Sequence, residues 1–564
     1  MQADRTTRWV LDHTSSFSAH AYRSGALGML TLASVLLLAA CSGPSEVATV
    51  SAPTPGAALA APGQCTGVLP DFGNSTPPPD YGGTLPASQT QLATFAWQHF
   101  VALNWASSYD SNGKRGTPDG STTFFGQPGS AQPQMTVWQS YRHKNELFPA
   151  TGEPSASFDG APAYVYANLT GPCGTGDTNP NVFTNLDENS QLGLDYMFAQ
   201  PAGASDKIQI LFQAKVNRAN YDYIVRNQLF TVQNQTTYQS RNKSNLATYG
   251  AICQQSQPKN CAQVVSSSPT AGYCLPCGGA GSEGTIHVKA AWRLLTDAEA
   301  KSGRFFVAPV VFYQPRTGTN VCYSNGAGQT WGLVGLHIIH KTGDFPAYVF
   351  ATWEQADNPA SNLKFVNTEY GGPAATVGKV QDWQRVANQG STLPSADVRA
   401  VNSCVQAAIK QANASSVWQY YQLVGVQGTP VDYANAAGDL PDFFLANNTI
   451  ESNAFFQSFV GNKAAYNAPG STTGPPDFTP LGTGPAGTTL GTNLTYQGKS
   501  FDMGGCQGCH GNAQQGGADM SFLGAGGANT AEAIGEFENV SERVALYLGK
   551  LRPSDTTKPS GIKK

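Results

Sequence analysis

Eleven cysteines constrain the fold of this 564-residue chain more than any other feature of its sequence. A cytosolic protein of this length seldom carries so many without a metal or redox task, because reducing compartments keep thiols from pairing. In an oxidising compartment, the same cysteines form cross-links that join distant segments. The compartment therefore decides how they are interpreted. They stand at positions 41, 65, 173, 253, 261, 274, 277, 322, 404, 506 and 509.

The N-terminal sequence predicts export. Several arginines precede an apolar stretch at residues 26–40, which is too short for a comfortable membrane span. A positive region, a short apolar region and small residues before a cleavage point are typical of a secretory signal. The sequence Leu38-Ala-Ala-Cys41 resembles the bacterial lipobox, in which the cysteine is acylated and becomes the new N-terminus. An uncleaved signal anchor is the alternative.

The lipobox resemblance implies a signal peptide at residues 1–40 and a lipid anchor on Cys41. Serine rather than aspartate follows Cys41, which by analogy indicates the outer membrane, facing the periplasm or the cell surface. Residues 41–87 are rich in Pro, Ala, Ser and Thr, a composition that cannot bury a core and predicts a tether. Cys65 lies in this segment, and we expect it to fasten the end of the tether to the folded body.

The charge of the chain gives no sign of a nucleic-acid partner. It has 33 basic and 37 acidic residues, a net charge of −4. Proteins that bind nucleic acid concentrate positive charge, so we exclude that class. A hydrophobic content of 40% is enough for a sizeable core, although only 12% of the residues are charged. This composition is typical of a secreted, loop-rich globular protein.

Eight cysteines remain if Cys41 carries a lipid and the pair nearest the C-terminus has a role of its own. An even number in an oxidising compartment predicts up to four disulfides, whose connectivity the sequence does not decide. Four of the eight lie close together in a Gly/Pro/Ser-rich stretch, at positions 253, 261, 274 and 277. Two disulfides are favoured there over a zinc site, because thiols outside the cytoplasm tend to pair.

The C-terminal pair belongs to the sequence Cys506-Gln-Gly-Cys509-His510. At this spacing, two thiols add across the vinyl groups of a porphyrin, and the adjacent histidine is held beneath the iron as an axial ligand. Here the chain resembles the c-type cytochromes, and with its lipobox it is similar to a large monohaem lipoprotein cytochrome. The resemblance implies one covalently attached haem c, with Cys506 and Cys509 as attachment residues and His510 as an iron ligand. A disulfide followed by an unrelated histidine is the alternative.

The sequence leaves the second axial position of the iron open. Met520 follows His510 by ten residues, about 33 Å of extended chain, which is enough to pass around the haem edge. Methionine is a haem ligand in cytochromes, so Met520 is a candidate for the distal side. His337 and His340 are rival donors, but in a strand their side chains point to opposite faces, so at most one serves. A site with no distal ligand is a further alternative.

The fold is predicted to be α+β, with a β-rich antiparallel body, flanking helices and a C-terminal cytochrome c-like region of helix and loop. Ser88 and Gln91 form a capping box at the start of a helix at residues 88–105. A second helix is expected around Cys404. Strand-like runs rich in β-branched and aromatic residues are separated by Gly, Pro and Asn. They lie at 163–169, 207–216, 285–292, 305–313, 333–341 and 347–353.

The expected domains are a body at residues 88–414 and a haem-binding region at residues 415–564. Three functions are compatible with one haem on a large exported body. The first is single-electron transfer at the cell envelope with a redox partner protein, which is favoured because haem c is commonest as an electron carrier. The second is a haem oxidoreductase for peroxide or oxygen, with His99, His337 or His340 as acid–base groups. The third is a ligand-binding protein with an accessory haem.

Overall fold

Short strands separated by turns make up most of the body in a computed structural model of the chain. The structure describes residues 65–127, 130–189, 195–205, 207–249, 272–279, 281–326, 328–367, 380–382, 385, 393–428 and 445–450. It also describes shorter pieces at 483–484, 488–489, 494–496, 499–501, 505–507, 510, 513, 517–524 and 530–534. All of these belong to one compact unit, Thr54–Lys564.

The described residues contain both strands and helices, which agrees with the predicted α+β class. The strands are β1 Arg142–His143, β2 Leu169–Pro172, β3 Thr184–Leu186, β4 Asp195–Ala199, β5 Ile208–Gln209, β6 Leu211–Val216, β7 Ile286–Leu294, β8 Val310–Pro315, β9 Val321–Ser324, β10 Trp331–His340, β11 Val349–Gln355, β12 Lys364–Asn367, β13 Val380–Asp382, β14 Tyr421–Gln427, β15 Thr483–Gly484, β16 Thr488–Thr489, β17 Leu494–Tyr496 and β18 Lys499–Phe501. The helices are α1 Gln89–Leu103, α2 Tyr109–Asn112, α3 Lys144–Leu147, α4 Arg218–Arg226, α5 Val232–Tyr249, α6 Asp297–Lys301 and α7 Ala396–Ala412.

A six-stranded antiparallel sheet forms the centre of the body, in the order β1-β6-β7-β10-β11-β14. Every residue of β10 and β11 is buried, so both faces of these strands are covered. This burial explains their nearly continuous runs of apolar and β-branched residues. The strand β14 completes this sheet, and the body therefore extends past residue 414, the boundary expected from the sequence.

The predicted N-terminal helix is confirmed as α1, and it begins with the predicted capping box of Ser88 and Gln91. The helix α7 packs beside α1, where the Trp97 indole N–H donates to Asn402 Oδ1 at 2.9 Å. Asn402 also donates to the Leu423 carbonyl of β14 at 2.7 Å, so one side chain joins both helices to the sheet.

Disulfides hold the periphery of the body. Cys65 is bonded to Cys404 of α7, which confirms the prediction that Cys65 fastens its segment to the body. Cys173 is bonded to Cys322 of β9. Cys274 and Cys277 are also disulfide-bonded. Their pairing agrees with the prediction of disulfides, rather than zinc, in that stretch.

Two of the predicted strands are shorter than expected. Residues 163–168 are not a strand, because the amides of Tyr164 and Val165 donate to the side-chain oxygens of Asn181 and Asn145 instead of to a neighbouring strand. Side chains compete with a β-ladder in this way when they offer acceptors nearby. In the 305–313 run, likewise, the strand begins only at Val310.

The smaller sheets differ from the prediction in one respect. A four-stranded sheet in the order β13-β12-β4-β5 is antiparallel. A second, in the order β2-β9-β8-β3, is mixed, since β2 with β9 and β3 with β8 pair in parallel. The body is therefore mainly, but not wholly, antiparallel. Within the described part of the chain, no helix is both long and apolar enough to cross a membrane.

Candidate haem site

Part of the candidate haem-attachment motif, at residues 506 and 507, packs against one end of the central sheet. Cys506, His510 and Met520 are among the described residues, whereas Cys509 and Cys41 lie outside them. Cys506 is partly buried against the main hydrophobic core, and Met520 is part of that core. The structure therefore brings three of the predicted site residues to one place, next to the sheet.

Gln507 fixes the motif to the sheet. Its backbone N–H donates to Gln427 Oε1, at the last residue of β14, at 3.0 Å. Its side-chain amide donates to the carbonyls of Ala347 and Tyr348, just before β11, at 3.1 Å each. Gln507 occupies a variable position within the Cys-x-x-Cys-His pattern, so sequence reasoning assigned it no role.

The His510 ring is oriented by a backbone carbonyl and two aromatic rings. His510 Nδ1 lies 2.8 Å from the Met520 carbonyl oxygen. Because a carbonyl only accepts, Nδ1 carries the hydrogen and Nε2 keeps its lone pair. The centroids of Phe350 and Phe522 lie 4.7 and 5.0 Å from that of the His510 ring. Metal-binding histidines are usually held in this way, with the other ring nitrogen donating to a carbonyl or carboxylate.

A buried ion pair lies beside this histidine. Lys341 Nζ is 2.5 Å from Asp519 Oδ2, and both side chains are fully buried. The Leu275 amide donates to the same oxygen at 2.6 Å. Burial raises the pKa of Asp519 and lowers that of Lys341, while the charge of each partner opposes the shift in the other. This ion pair fastens the segment at residues 517–524, which contains Met520, to Lys341, the residue that follows β10.

Unusual backbone conformations concentrate at the same junction. Among the described residues, five that are not glycine have a positive φ, and three of them are Tyr348 at 67°, Asp519 at 50° and Met520 at 58°. Such conformations are costly for residues with a side chain and persist where the surrounding structure enforces them. They cluster at active sites and ligand-binding sites in proteins. The strain therefore indicates a functional site independently of the cysteine motif.

Buried polar atoms without a hydrogen-bond partner also surround the motif: Tyr348 OH, Gln507 Oε1, Asp519 Oδ1 and Ser521 Oγ. Buried polar groups are nearly always hydrogen-bonded, so each of these calls for a polar partner such as a bound group or a water molecule. A haem has an apolar macrocycle and polar propionate edges. The aromatic rings, the His510 ring oriented by the Met520 carbonyl and the unpaired hydroxyls fit such a group.

No known family model, curated protein or solved structure matches the chain.

The other candidate histidines lie in α1 and β10. His99 Nε2 is 2.7 Å from His340 Nδ1. The remaining ring nitrogens meet carbonyls, with His99 Nδ1 2.9 Å from Phe95 O and His340 Nε2 2.6 Å from Glu283 O. All four nitrogens are engaged, so neither ring is available to iron or to a substrate in this arrangement. His337 lies in β10 with its side chain buried.

Nothing in the sequence pointed to His287 of β7, although its pKa responds to the charge of His510. Burial, together with the charges of His510 and Lys341, lowers its pKa to about 3. Its Nε2 lies 2.9 Å from the side-chain nitrogen of Asn220. No local signal marks His287, because only the pairing of β7 with β10 brings it toward the C-terminal motif.

A second group of buried charges lies in the body, apart from the haem site. Glu146 receives hydrogen bonds from Arg115 at 2.9 and 3.0 Å and from Arg142 at 2.5 Å. The charges compensate one another and the carboxylate is fully engaged, which is typical of a structural network. In the described part of the chain, no group of three or more His, Cys, Asp or Glu residues is arranged to hold a metal ion.

Proposed function

We propose that this chain is a cell-envelope monohaem c-type cytochrome that transfers single electrons to or from a redox partner protein. In this proposal, Cys506 and Cys509 carry one covalently bound haem c, and His510 is an axial ligand of its iron. A lipid on Cys41 anchors the protein to the membrane, at the outer membrane facing the periplasm or at the cell surface. The disulfides of the body are compatible with that compartment.

The contact between His510 and Met520 carries the proposal. The hydrogen on Nδ1 points to the Met520 carbonyl, which leaves Nε2 as the nitrogen with a lone pair. In a Cys-x-x-Cys-His sequence, that is the nitrogen required beneath the iron. The bound haem would supply one-electron exchange at its iron.

The residues around His510 have separate roles in this proposal. Phe350 and Phe522 restrict rotation of the ring and limit the access of water to it. Gln507 holds the attachment motif to the sheet, and the Lys341–Asp519 pair holds the segment around Met520 to it. We call these two pieces the haem segment. Sites that exchange electrons benefit from ligands that are held in one geometry by their surroundings.

The same contact bears on the distal ligand. The Met520 carbonyl lies on the side of the His510 ring away from Nε2, whereas a distal methionine has to reach the opposite face of the haem. This geometry favours Met520 as a residue that orients His510 over Met520 as the distal ligand. It leaves the distal position without an assigned residue, which is the reason for keeping a second candidate function, a haem oxidoreductase with an open distal position for peroxide or oxygen.

Visible absorption spectra of the purified full chain, with and without carbon monoxide, separate the two functions. An electron carrier is expected to give a reduced low-spin spectrum that carbon monoxide barely changes. A high-spin spectrum that shifts on addition of carbon monoxide would replace electron transfer by the oxidoreductase. A Cys506→Ser/Cys509→Ser variant is the control and should lose the haem spectrum after denaturation. Retention of a covalent haem in that variant would contradict the attachment site.

Met520→Ala tests the role of Met520 separately. If Met520 acts through its carbonyl, the spin state stays unchanged, because every residue offers that carbonyl. A change to five-coordinate iron would identify Met520 as the distal ligand instead. Met520→Leu, which keeps the buried volume, is the matched control for loss of packing.

A further inference from the structure

Two buried histidines outside the haem site form a continuous hydrogen-bonded chain between α1 and β10. It runs from the Phe95 carbonyl through His99 and His340 to the Glu283 carbonyl, with contacts of 2.9, 2.7 and 2.6 Å. The two histidines are only 3% and 1% exposed, so water does not compete for their ring nitrogens. The hydrogens of this chain can therefore be counted.

The count requires three hydrogens. A carbonyl oxygen only accepts, so His99 Nδ1 and His340 Nε2 must each carry a hydrogen. A neutral imidazole has one N–H, and both are then used. With neutral rings, His99 Nε2 and His340 Nδ1 would face each other as two lone pairs at 2.7 Å. A third hydrogen between these nitrogens turns the repulsive contact into a hydrogen bond.

We propose that His99 and His340 form a proton-binding site that holds three protons on two rings, and hence one positive charge buried between α1 and β10. The third proton is taken from the solvent and is bound between His99 Nε2 and His340 Nδ1. No bond other than this N–H forms, and the charge of the pair rises by one. The site is independent of the haem and of the proposed electron transfer.

Burial acts against the bound proton. It lowers the pKa of His99 to about 3, helped by the charge of His340, and the bond to Phe95 opposes this shift. Burial likewise lowers the pKa of His340 to about 4 against the bond to Glu283. The hydrogen bond between His99 Nε2 and His340 Nδ1 stabilises the bound proton, because this bond exists only when the third hydrogen is present. Hydrogen bonds with an ionised partner are about twice as strong as neutral ones, and all three contacts become of that kind.

Among the residues that the structure describes, no acidic side chain is paired with His99 or His340. The helix α1 has no titratable residue other than His99. The Glu283 carboxyl accepts from Asn217 at 2.7 Å, and burial raises its pKa. Titratable groups on the elements packed around the pair are His337 of β10 and Lys341 just after it, Glu283, His287, Lys289 and Arg293 of β7, Glu354 of β11, Asp397, Arg399 and Lys410 of α7, and Asp80, Tyr81 and Asp344 in the neighbouring segments. Of these groups, none contributes a charge that shifts the pKa of His99, which feels only that of His340.

Nitrogen NMR of the full chain with labelled histidine rings tests the charge directly. The two nitrogens of a neutral ring differ widely in chemical shift, whereas those of an imidazolium lie close together. At pH 7 we expect the pair to show a shared imidazolium signature. His99→Phe and His340→Phe should each convert the remaining ring to the neutral pattern, while His337→Phe, on the same strand, should leave the signature unchanged. Two neutral patterns in the wild-type protein at pH 7 would overturn the proposal.

The pH dependence of stability provides a second test, measured as the difference between wild type and His99→Phe/His340→Phe. Free histidines lose their extra protons above about pH 6.5. If the folded pair keeps one, the folding constant of wild type relative to the variant falls up to about tenfold per pH unit above 6.5. Below pH 6.5 the same relative folding constant falls as the pH decreases, again by up to about tenfold per pH unit. The reason is that the two histidines of the unfolded chain bind two extra protons, whereas the folded pair binds one. A flat profile above 6.5 with a two-proton slope below it would mean a neutral pair and refute the site.

Discussion

Replacing Lys341 with methionine removes the cation from the buried pair that fastens the haem segment to the sheet. Lys341 Nζ and Asp519 Oδ2 are 2.5 Å apart, and neither side chain is exposed. Removing one partner of a buried pair typically costs about 3–5 kcal/mol, because the remaining charge is left without compensation. We expect Lys341→Met to lower the free energy of unfolding by about that amount at pH 7. Methionine keeps most of the apolar stem, so little of the loss is due to packing.

The loss should depend on pH in a defined direction. Burial raises the pKa of Asp519, an effect that the charge of Lys341 opposes in the wild-type protein. Without the lysine, the folded-state pKa rises further above the unfolded value. The protonated form then contributes stability at low pH that is lost as the pH rises through the folded pKa. The destabilisation by Lys341→Met should therefore be smaller near pH 4 than at pH 7.

Urea unfolding of the full chain with its disulfides intact, followed by tryptophan fluorescence, measures both effects. Lys341→Met/Asp519→Asn is the matched control, because it removes both charges, and asparagine tolerates the left-handed backbone at position 519. The double variant should recover most of the stability lost in the single variant. A loss below about 1 kcal/mol in Lys341→Met, or a double variant no more stable than it, would refute the reasoning.

Two further predictions concern the body. Burial acts to raise the pKa of Glu146, but the charges of its two arginine partners outweigh burial, and the pKa is lowered. The Glu146 carboxylate therefore contributes stability that is lost as the pH falls from the pKa of the unfolded chain through the lower pKa of the folded protein. Glu146→Gln should cost about 3–5 kcal/mol in urea unfolding at pH 7 and much less near pH 3; an equal cost at both would contradict the ion network. The disulfide Cys65–Cys404 spans 339 residues, and Cys65→Ser/Cys404→Ser should lose about 2–5 kcal/mol in thermal or urea unfolding. An unchanged midpoint would mean that the N-terminal segment is held by its packing alone.

Local signals in the sequence predicted the elements that depend on local chemistry. The capping box at Ser88 predicts the start of α1, and the run at 333–341 predicts the strand that the structure has as β10. The pairing of Cys65 was expected from its predicted oxidising compartment, although the sequence does not contain the identity of its partner. The strand expected at 163–168 failed because asparagine side chains far along the chain bind its amides.

The contacts around the candidate haem motif could not be predicted from the sequence, because they also join residues that are far apart in the chain. Lys341 and Asp519 are 178 residues apart, and neither lies in a recognisable pattern. The carbonyl that orients His510 belongs to the backbone of Met520, and a backbone group leaves no trace in the residue type. The sequence therefore singled out His510 as a candidate ligand, but not the contacts that orient its ring.

The bond between Gln507 and Gln427 has a consequence for how the chain can vary among related proteins. Gln427 ends β14, and the backbone of Gln507, 80 positions later, is bonded to its side chain. The position of Gln507 is therefore set by its own contacts with the sheet and does not depend on the number of residues between the two glutamines. Doubling the length of a connection between two fixed points costs only about 0.6 kcal/mol in closure entropy. Insertions and deletions between these two glutamines are therefore expected to leave Gln507 at the same strand ends.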